Sequence, residues 1–325
     1  MRKSIVHLDG LTMKTKNKIK ILFGAALLLL VTFGFTHRAA AQEHIVFYAP
    51  AVATIVSQKT HTVSYQTNMQ IFSMNVDGTA VKQLTTGNEN SNFPRWRPGQ
   101  THILFHRGGY IYVMDANGGG TFAVAADLGD VGSDWSPEGS MICYVARSPS
   151  PPGPYGLFVV SVDPSAKGNK KVGTPVCVSQ GDFYGPAWSP DGTRIAFSDQ
   201  QTGLQPPGPR LRVLDLATGI KTTLDLNHSL LPSWSLTGDR LAFVSGTNPT
   251  GYWQLFIANA DFSGVTQVTS YNNSALWPTW SYDDTQVAFR IGTGQNGDAA
   301  IYKLTFSTGE LTLLRDKADH PDWRP

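Results

Sequence analysis

The chain has 325 residues, with 26 Lys and Arg, 24 Asp and Glu, two cysteines and 32 glycines. That length suits two ordinary domains or one large repeat array, and two cysteines are too few for a disulfide-stapled miniature. Residues 1–41 hold seven of the basic residues and one acidic one, which leaves 19 against 23, a net charge of −4, in residues 42–325. A mildly acidic body excludes the large class of nucleic-acid binders that work by neutralising phosphates with Lys and Arg.

The chain begins with a basic stretch, "MKTKNKIK" from Met13, then a 15-residue apolar run, "ILFGAALLLLVTFGF" (21–35), then small residues at Ala39 and Ala41. These are the three parts of a secretory signal peptide over residues 1–41, with cleavage expected between Ala41 and Gln42. The run is shorter than the roughly 20 apolar residues that span a bilayer. No membrane span is therefore expected after cleavage, and the product is periplasmic or secreted. No cysteine follows the run to carry a lipid.

Residues 42–325 are predicted to be built from β-strands and turns. "HIVFYA" (44–49) is a first short strand, followed by a long link at 50–69, then strands in "QIFSMNVDG" (70–78) and "AVKQLT" (80–85). A motif then recurs: "FPRWRPGQTHILF" (93–105), "SDWSPEGSMICY" (133–144), "GPAWSPDGTRIAF" (185–197), "LPSWSLTGDRLAF" (231–243), "WPTWSYDDTQVAF" (277–289) and a truncated "HPDWRP" (320–325). The anchor tryptophans Trp96, Trp135, Trp188, Trp234, Trp280 and Trp323 are 39, 53, 46, 46 and 43 residues apart, a period that suits propeller blades. Ser-Pro-Asp-Gly is a type I turn with Gly at its last position, and "RPGQ" suits a type II turn with Gly99 at positive φ. The run after each turn is apolar on both alternating faces, which marks a strand buried on both sides. Further strands follow at "YIYVMD" (110–115), "LFVVSVD" (157–163), "LRVLDL" (211–216) and "QLFIANAD" (254–261), giving four per module.

The C-terminal "HPDWRP" supplies only an innermost strand, while "HIVFYA" matches a second strand. The expected fold is therefore all-β: a six-bladed propeller of four-stranded antiparallel blades over 42–325, its ring closed by pairing N- and C-terminal strands in one blade. At this level the chain resembles the TolB-type propeller family. The resemblance rests on "PxWSPDGxxIAF", the "IYVMD"-like third strand and fourth strands ending in "QLT" (83–85) or "QVT" (267–269), and it covers 43–325. It implies a periplasmic module working through protein partners. The α/β domain that precedes the propeller in TolB has no expected counterpart before the first blade strand.

Cys143 falls in a second-strand column otherwise filled by Leu104, Ala196, Ala242 and Ala288. Cys177 lies 11 residues before Trp188, where the other modules place Thr85, Thr223, Thr269 and Thr312. Second and fourth strands of a blade are roughly 9–10 Å apart, beyond the approximately 7 Å Cα limit for a bridge. Two buried, unbridged thiols are expected.

The chain carries no G-x-S-x-G elbow, H-E-x-x-H helix, P-loop or EF-hand loop. The turn aspartates, such as Asp191, are explained by turn chemistry. No catalytic residue, metal or cofactor is expected. Long links between second and third strands (50–69, 147–156, 199–210, 245–253) emerge on one face, which is therefore the expected recognition face. Its candidate binding residues are Phe93, Phe183, Tyr184, Trp253, Trp277, Asp319 and His320. To these we add Arg95 and Asp134, because Arg95 falls between Asp134 and Asp322 in adjacent inner strands, as an ion cluster pinning the closing blade. The expected function is that of an exported, monomeric, non-enzymatic scaffold binding an envelope or extracellular protein. The alternative is a glycan- or peptide-binding or -processing protein with its site in the central funnel.

Overall fold

The computed structural model describes residues 44–57, 62–126, 132–147, 155–200, 208–292 and 298–323, with the side chains of 54–65 and 169 outside the description. The expected signal segment and most of the links at 147–156 and 199–210 lie outside those residues. The described chain forms six four-stranded antiparallel sheets. Blade 1 runs, from the axis outward, Asp319–Asp322, His44–Ser57, Thr62–Asn75 and Lys82–Gln83. Its innermost strand is the last of the chain and pairs with the first through Val46↔Asp322 and Tyr48↔Asp319, so the ring closes within this blade. Blade 2 contains Ser91–Trp96, His102–Arg107, Tyr110–Asp115 and Phe122–Ala126; blade 3 contains Ser133–Trp135, Met141–Arg147, Tyr155–Ser161 and Val176–Gln180. Blade 4 contains Phe183–Trp188, Arg194–Asp199, Arg210–Asp215 and Lys221–Asn227. Blade 5 contains Ser229–Trp234, Arg240–Ser245, Gln254–Asn259 and Thr266–Gln267, and blade 6 contains Ala275–Trp280, Gln286–Ile291, Ala300–Thr305 and Glu310–Asp316. No helix among the described residues is long and apolar enough to cross a membrane.

The core is divided into layers between neighbouring blades. Val46, Ile71 and Leu84 of blade 1 pack on Trp96, Ile103, Phe105 and Met114 of blade 2. Ile45, Phe47 and Met74 pack on Ala288, Ile301 and Leu314 of blade 6. Adjacent residues of one strand thus serve opposite interfaces, which is why the second strands are apolar on both faces. Cross-strand aromatic pairs stiffen four blades at one register: Phe47–Phe72, Phe105–Tyr112, Tyr144–Phe158 and Phe243–Phe256 are stacked with centroids 5.6, 5.6, 5.7 and 5.8 Å apart.

The turns are those the motif requires. Gly192 N–H donates to Ser189 O at 2.9 Å, and Gly192 has φ +72°; Gln100 N–H donates to Arg97 O at 2.8 Å, with Gly99 at φ +82°. Blade 6 has Asp284 (φ +55°) where blades 3, 4 and 5 have glycine. Its carboxylate accepts from the N–H groups of Leu236 (2.6 Å) and Thr237 (3.0 Å), stapling the turn of blade 5 and offsetting the left-handed backbone.

Two expectations are corrected. Residues 50–57 and 62–69 of the expected link are strand and not loop: the first two strands pair without a break from His44↔Asn75 to Ser57↔Thr62, as the arms of a long hairpin. Its β-branched composition carries it past Pro50. The two cysteines are indeed unbridged, Cys143 opposing Val159 and Cys177 opposing Phe158 across the strand between them. Only Cys143 is buried, however; Cys177 is exposed on the outermost strand of its blade.

Candidate functional site around the ring axis

The inner strands share a feature that positions the site. In all six blades the residue three before the anchor tryptophan has a left-handed backbone: Phe93 (φ +52°), Gly132 (+91°), Gly185 (+53°), Leu231 (+57°), Trp277 (+59°) and His320 (+49°). The strand register slips at this point in blades 1, 2, 4, 5 and 6. A bulge of this kind re-aims a side chain, and here it turns three rings from three blades onto the axis. Phe93 lies 5.7 Å from Trp277 and 4.5 Å from His320, and His320 lies 3.7 Å from Trp277. Tyr48 stacks on His320 at 4.8 Å. The rings form an aromatic plug on the side of the second-to-third-strand links.

Beneath the plug is a buried charged network. Asp319 Oδ2 accepts from Arg290 Nη1 at 2.7 Å and from the Tyr48 hydroxyl at 3.4 Å. Its Oδ1 accepts the His320 backbone N–H at 2.7 Å and lies 2.9 Å from His320 Nδ1. Burial alone would raise the Asp319 carboxyl, but His320 and the Arg290 guanidinium bring it down to about 2. Burial pushes the His320 imidazole down to about 4 against the pull of Asp319, so it is neutral at neutral pH. Asp319 and His320 do converge, then, but the imidazole is 5 % exposed between rings and the carboxylate is engaged by Arg290. That geometry suits a pinned plug better than a proton shuttle in contact with substrate.

Arg290 and Tyr48 are members of the site that sequence reasoning missed. Arg290 had a signal, since it is a charged residue in an otherwise apolar second strand. The same column holds His106, whose Nε2 lies 2.7 Å from Ser133 Oγ in blade 3, and Ser198, which accepts the Leu231 N–H at 3.2 Å in blade 5. Polar residues in this column each reach the next inner strand.

Past the plug, toward the first-to-second-strand turns, the axis holds a cavity of about 310 Å³. Its walls include Arg95, Asp134, Asp322, Ser233 and the anchor tryptophans of blades 3 to 6, and its rim includes Pro98, Pro137 and Pro190. The residue before an anchor tryptophan reaches the next blade's anchor. Asp322 Oδ2 accepts the Trp96 N–H at 2.7 Å, Asp134 Oδ2 accepts the Trp188 N–H at 2.8 Å, and Thr279 Oγ1 accepts the Trp323 N–H at 3.0 Å. Arg95 pairs with Asp322 at 3.4 Å. Asp134 uses its second oxygen on its neighbour Trp135 N–H at 2.9 Å.

Of the nine candidate residues, Phe93, Trp277, Asp319 and His320 meet at the plug, and Arg95 and Asp134 line the cavity. Phe183 is buried against Phe197 at 4.6 Å. Tyr184 is half-buried at the start of the blade 4 inner strand, and burial raises its hydroxyl pKa. Trp253 is half-buried immediately before the third strand of blade 5.

No protein-family model and no curated protein matches this sequence. Solved structures do match the fold. The putative TolB from Agrobacterium tumefaciens is 17 % identical, with a TM-score of 0.62 over 84 % of this chain and 89 % of that one. TolB from Acinetobacter baumannii is 17 % identical, with a TM-score of 0.64 over 87 % of this chain and 67 % of that one. A chain of a nidogen/laminin complex is 8 % identical, with a TM-score of 0.58 over 86 % of this chain and 97 % of that one. At these identities the likeness is one of fold, and the chain has the six-bladed propeller fold seen in the TolB structures.

Proposed function

We propose that the protein is an exported, non-enzymatic binding module of the cell envelope or extracellular space, holding a protein partner on the loop-rich face around the channel mouth. The observation that carries this reading is the aromatic plug: half-buried Tyr48, Phe93 and Trp277 sit together on that face. Aromatic clusters with a charged support are the anchors around which protein interfaces form. The signal-like residues 1–41 support export, with Gln42 as the mature N-terminus, and the acidic body supports a protein partner over nucleic acid. Affinity capture from a detergent extract of the envelope, with wild type beside Trp277→Ala, tests the reading. A partner held by the wild type and lost by the folded variant is expected; a partner retained equally by both would overturn it.

A second reading is favoured by the axial cavity. A volume of about 310 Å³ walled by indoles, prolines and seryl hydroxyls suits a small glycan or a peptide end. In that case the ligand enters from the turn side, and Ser233→Trp blocks it while leaving the loop-rich face intact.

A further inference from the structure

A second depression lies off the axis, at the top of blade 2 on the loop-rich face. It is about 340 Å³ in volume and is lined by Glu89, Asn90, Asn92, His106, Arg107 and the Gly108–Gly109 turn. In blade 2 the link from second to third strand is only this two-glycine turn, both residues at positive φ. The Glu89 carboxylate lies over this bare turn, its Oε2 3.2 Å from where a Cβ at Gly108 would stand.

The polar groups around the depression are oriented but not used up. Asn90 Oδ1 accepts the Met69 N–H at 2.9 Å, which fixes the amide; its NH₂ donates to no described residue. Arg107 is held by Nε donating to Ser91 Oγ at 2.9 Å and by its guanidinium lying 5.1 Å from the centre of the Phe105 ring. Its terminal nitrogens make no hydrogen bond or ion pair among the described residues, Glu89 included. The Glu89 carboxylate likewise accepts nothing from them, and Asn92 Oδ1 is buried without a partner among them. Donors (Asn90, Arg107) and acceptors (Glu89, Asn92) therefore converge on one small space. A simple anion meets Glu89 there, and a simple cation meets Arg107. Groups that donate and accept at once, as vicinal hydroxyls do, satisfy all four side chains. An aromatic wall adjoins the depression, since His106 packs edge-on against Phe93 of the plug at 5.4 Å.

We infer that this depression is a saccharide subsite, taking one pyranose unit through its hydroxyls, with Glu89, Asn90, Asn92 and Arg107 as ligands. It is separate from the axial cavity and does not depend on the protein-partner reading.

The test is saturation-transfer NMR on the purified protein with D-glucose, D-galactose, D-mannose and N-acetyl-D-glucosamine at millimolar concentration, and with glycine as a zwitterion probe. Glu89 and Asn90 are exposed, so Glu89→Ala and Asn90→Ala preserve the fold, which thermal melting verifies. At least one sugar is expected to bind, and each variant to weaken it about ten-fold, the loss of one charge-assisted or well-placed hydrogen bond. Binding of no sugar, sugar binding unchanged in both variants, or binding of glycine alone would each overturn the assignment.

Discussion

His320 is a buried imidazole whose pKa burial lowers, and its linkage to stability has a definite sign. Its pKa falls from 6.5 in an unfolded chain to about 4 in the fold, so between those values the unfolded state binds the extra proton. Stability is therefore complete above pH 6.5 and declines as pH falls toward 4, by about 2 kcal/mol between pH 7 and pH 5 for this one group. The turn aspartates and Asp319, whose pKa values are lowered, add their losses only below about pH 4. Urea unfolding at pH 7 and pH 5 should show the decline in wild type and not in His320→Phe; equal slopes in both would contradict the burial of a neutral imidazole. Asp322 is the second decisive residue, 1 % exposed, bonded to the Trp96 N–H and paired with Arg95. Asp322→Ala leaves both groups short of a partner and should cost about 3 kcal/mol of stability by the same denaturant measurement. A loss under about 0.5 kcal/mol, the usual size for an inert surface change, would show that the pair does not hold the closing blade.

At the scale of strands, legibility followed burial. Second strands are buried on both faces and present unbroken apolar columns, so their positions could be read directly, and Cys143 was rightly placed in the core. Outer strands touch a neighbour on one side only and vary from two residues at Lys82–Gln83 to seven at Lys221–Asn227. Counting back from a tryptophan therefore crosses turns of unequal length, which is why Cys177 was aligned with buried Thr85 and Thr269 yet is exposed. Native protein treated with a thiol reagent should accordingly label one cysteine, Cys177, rapidly and the second only after unfolding. Rapid labelling of both would contradict the packing of the second strand in blade 3. The hairpin at 44–75 was misread for a different reason. Pro50, which cannot donate to a ladder, signals a break, but pairing along fourteen opposed positions outweighs it.

Across the whole molecule, the ring was legible because the same local argument recurs in every module and the termini complement each other. The site was legible only in part. That aromatics stand near the start of inner strands is visible in the sequence. That they meet across the axis depends on a left-handed residue three before each tryptophan, and four of the six are not glycine. Backbone of that kind costs about 1–2 kcal/mol per residue, and six blades hold it in place together. On the proposed reading, recognition belongs to the loop-rich face around the plug and not to the outer strands. Photo-crosslinking decides between the two, with a benzophenone side chain placed at Tyr184, on that face, or at Val176, 60 % exposed on the outer strand of blade 3. Crosslinked adducts in the envelope from position 184, with none from 176, are the predicted result; adducts from 176 alone would contradict it.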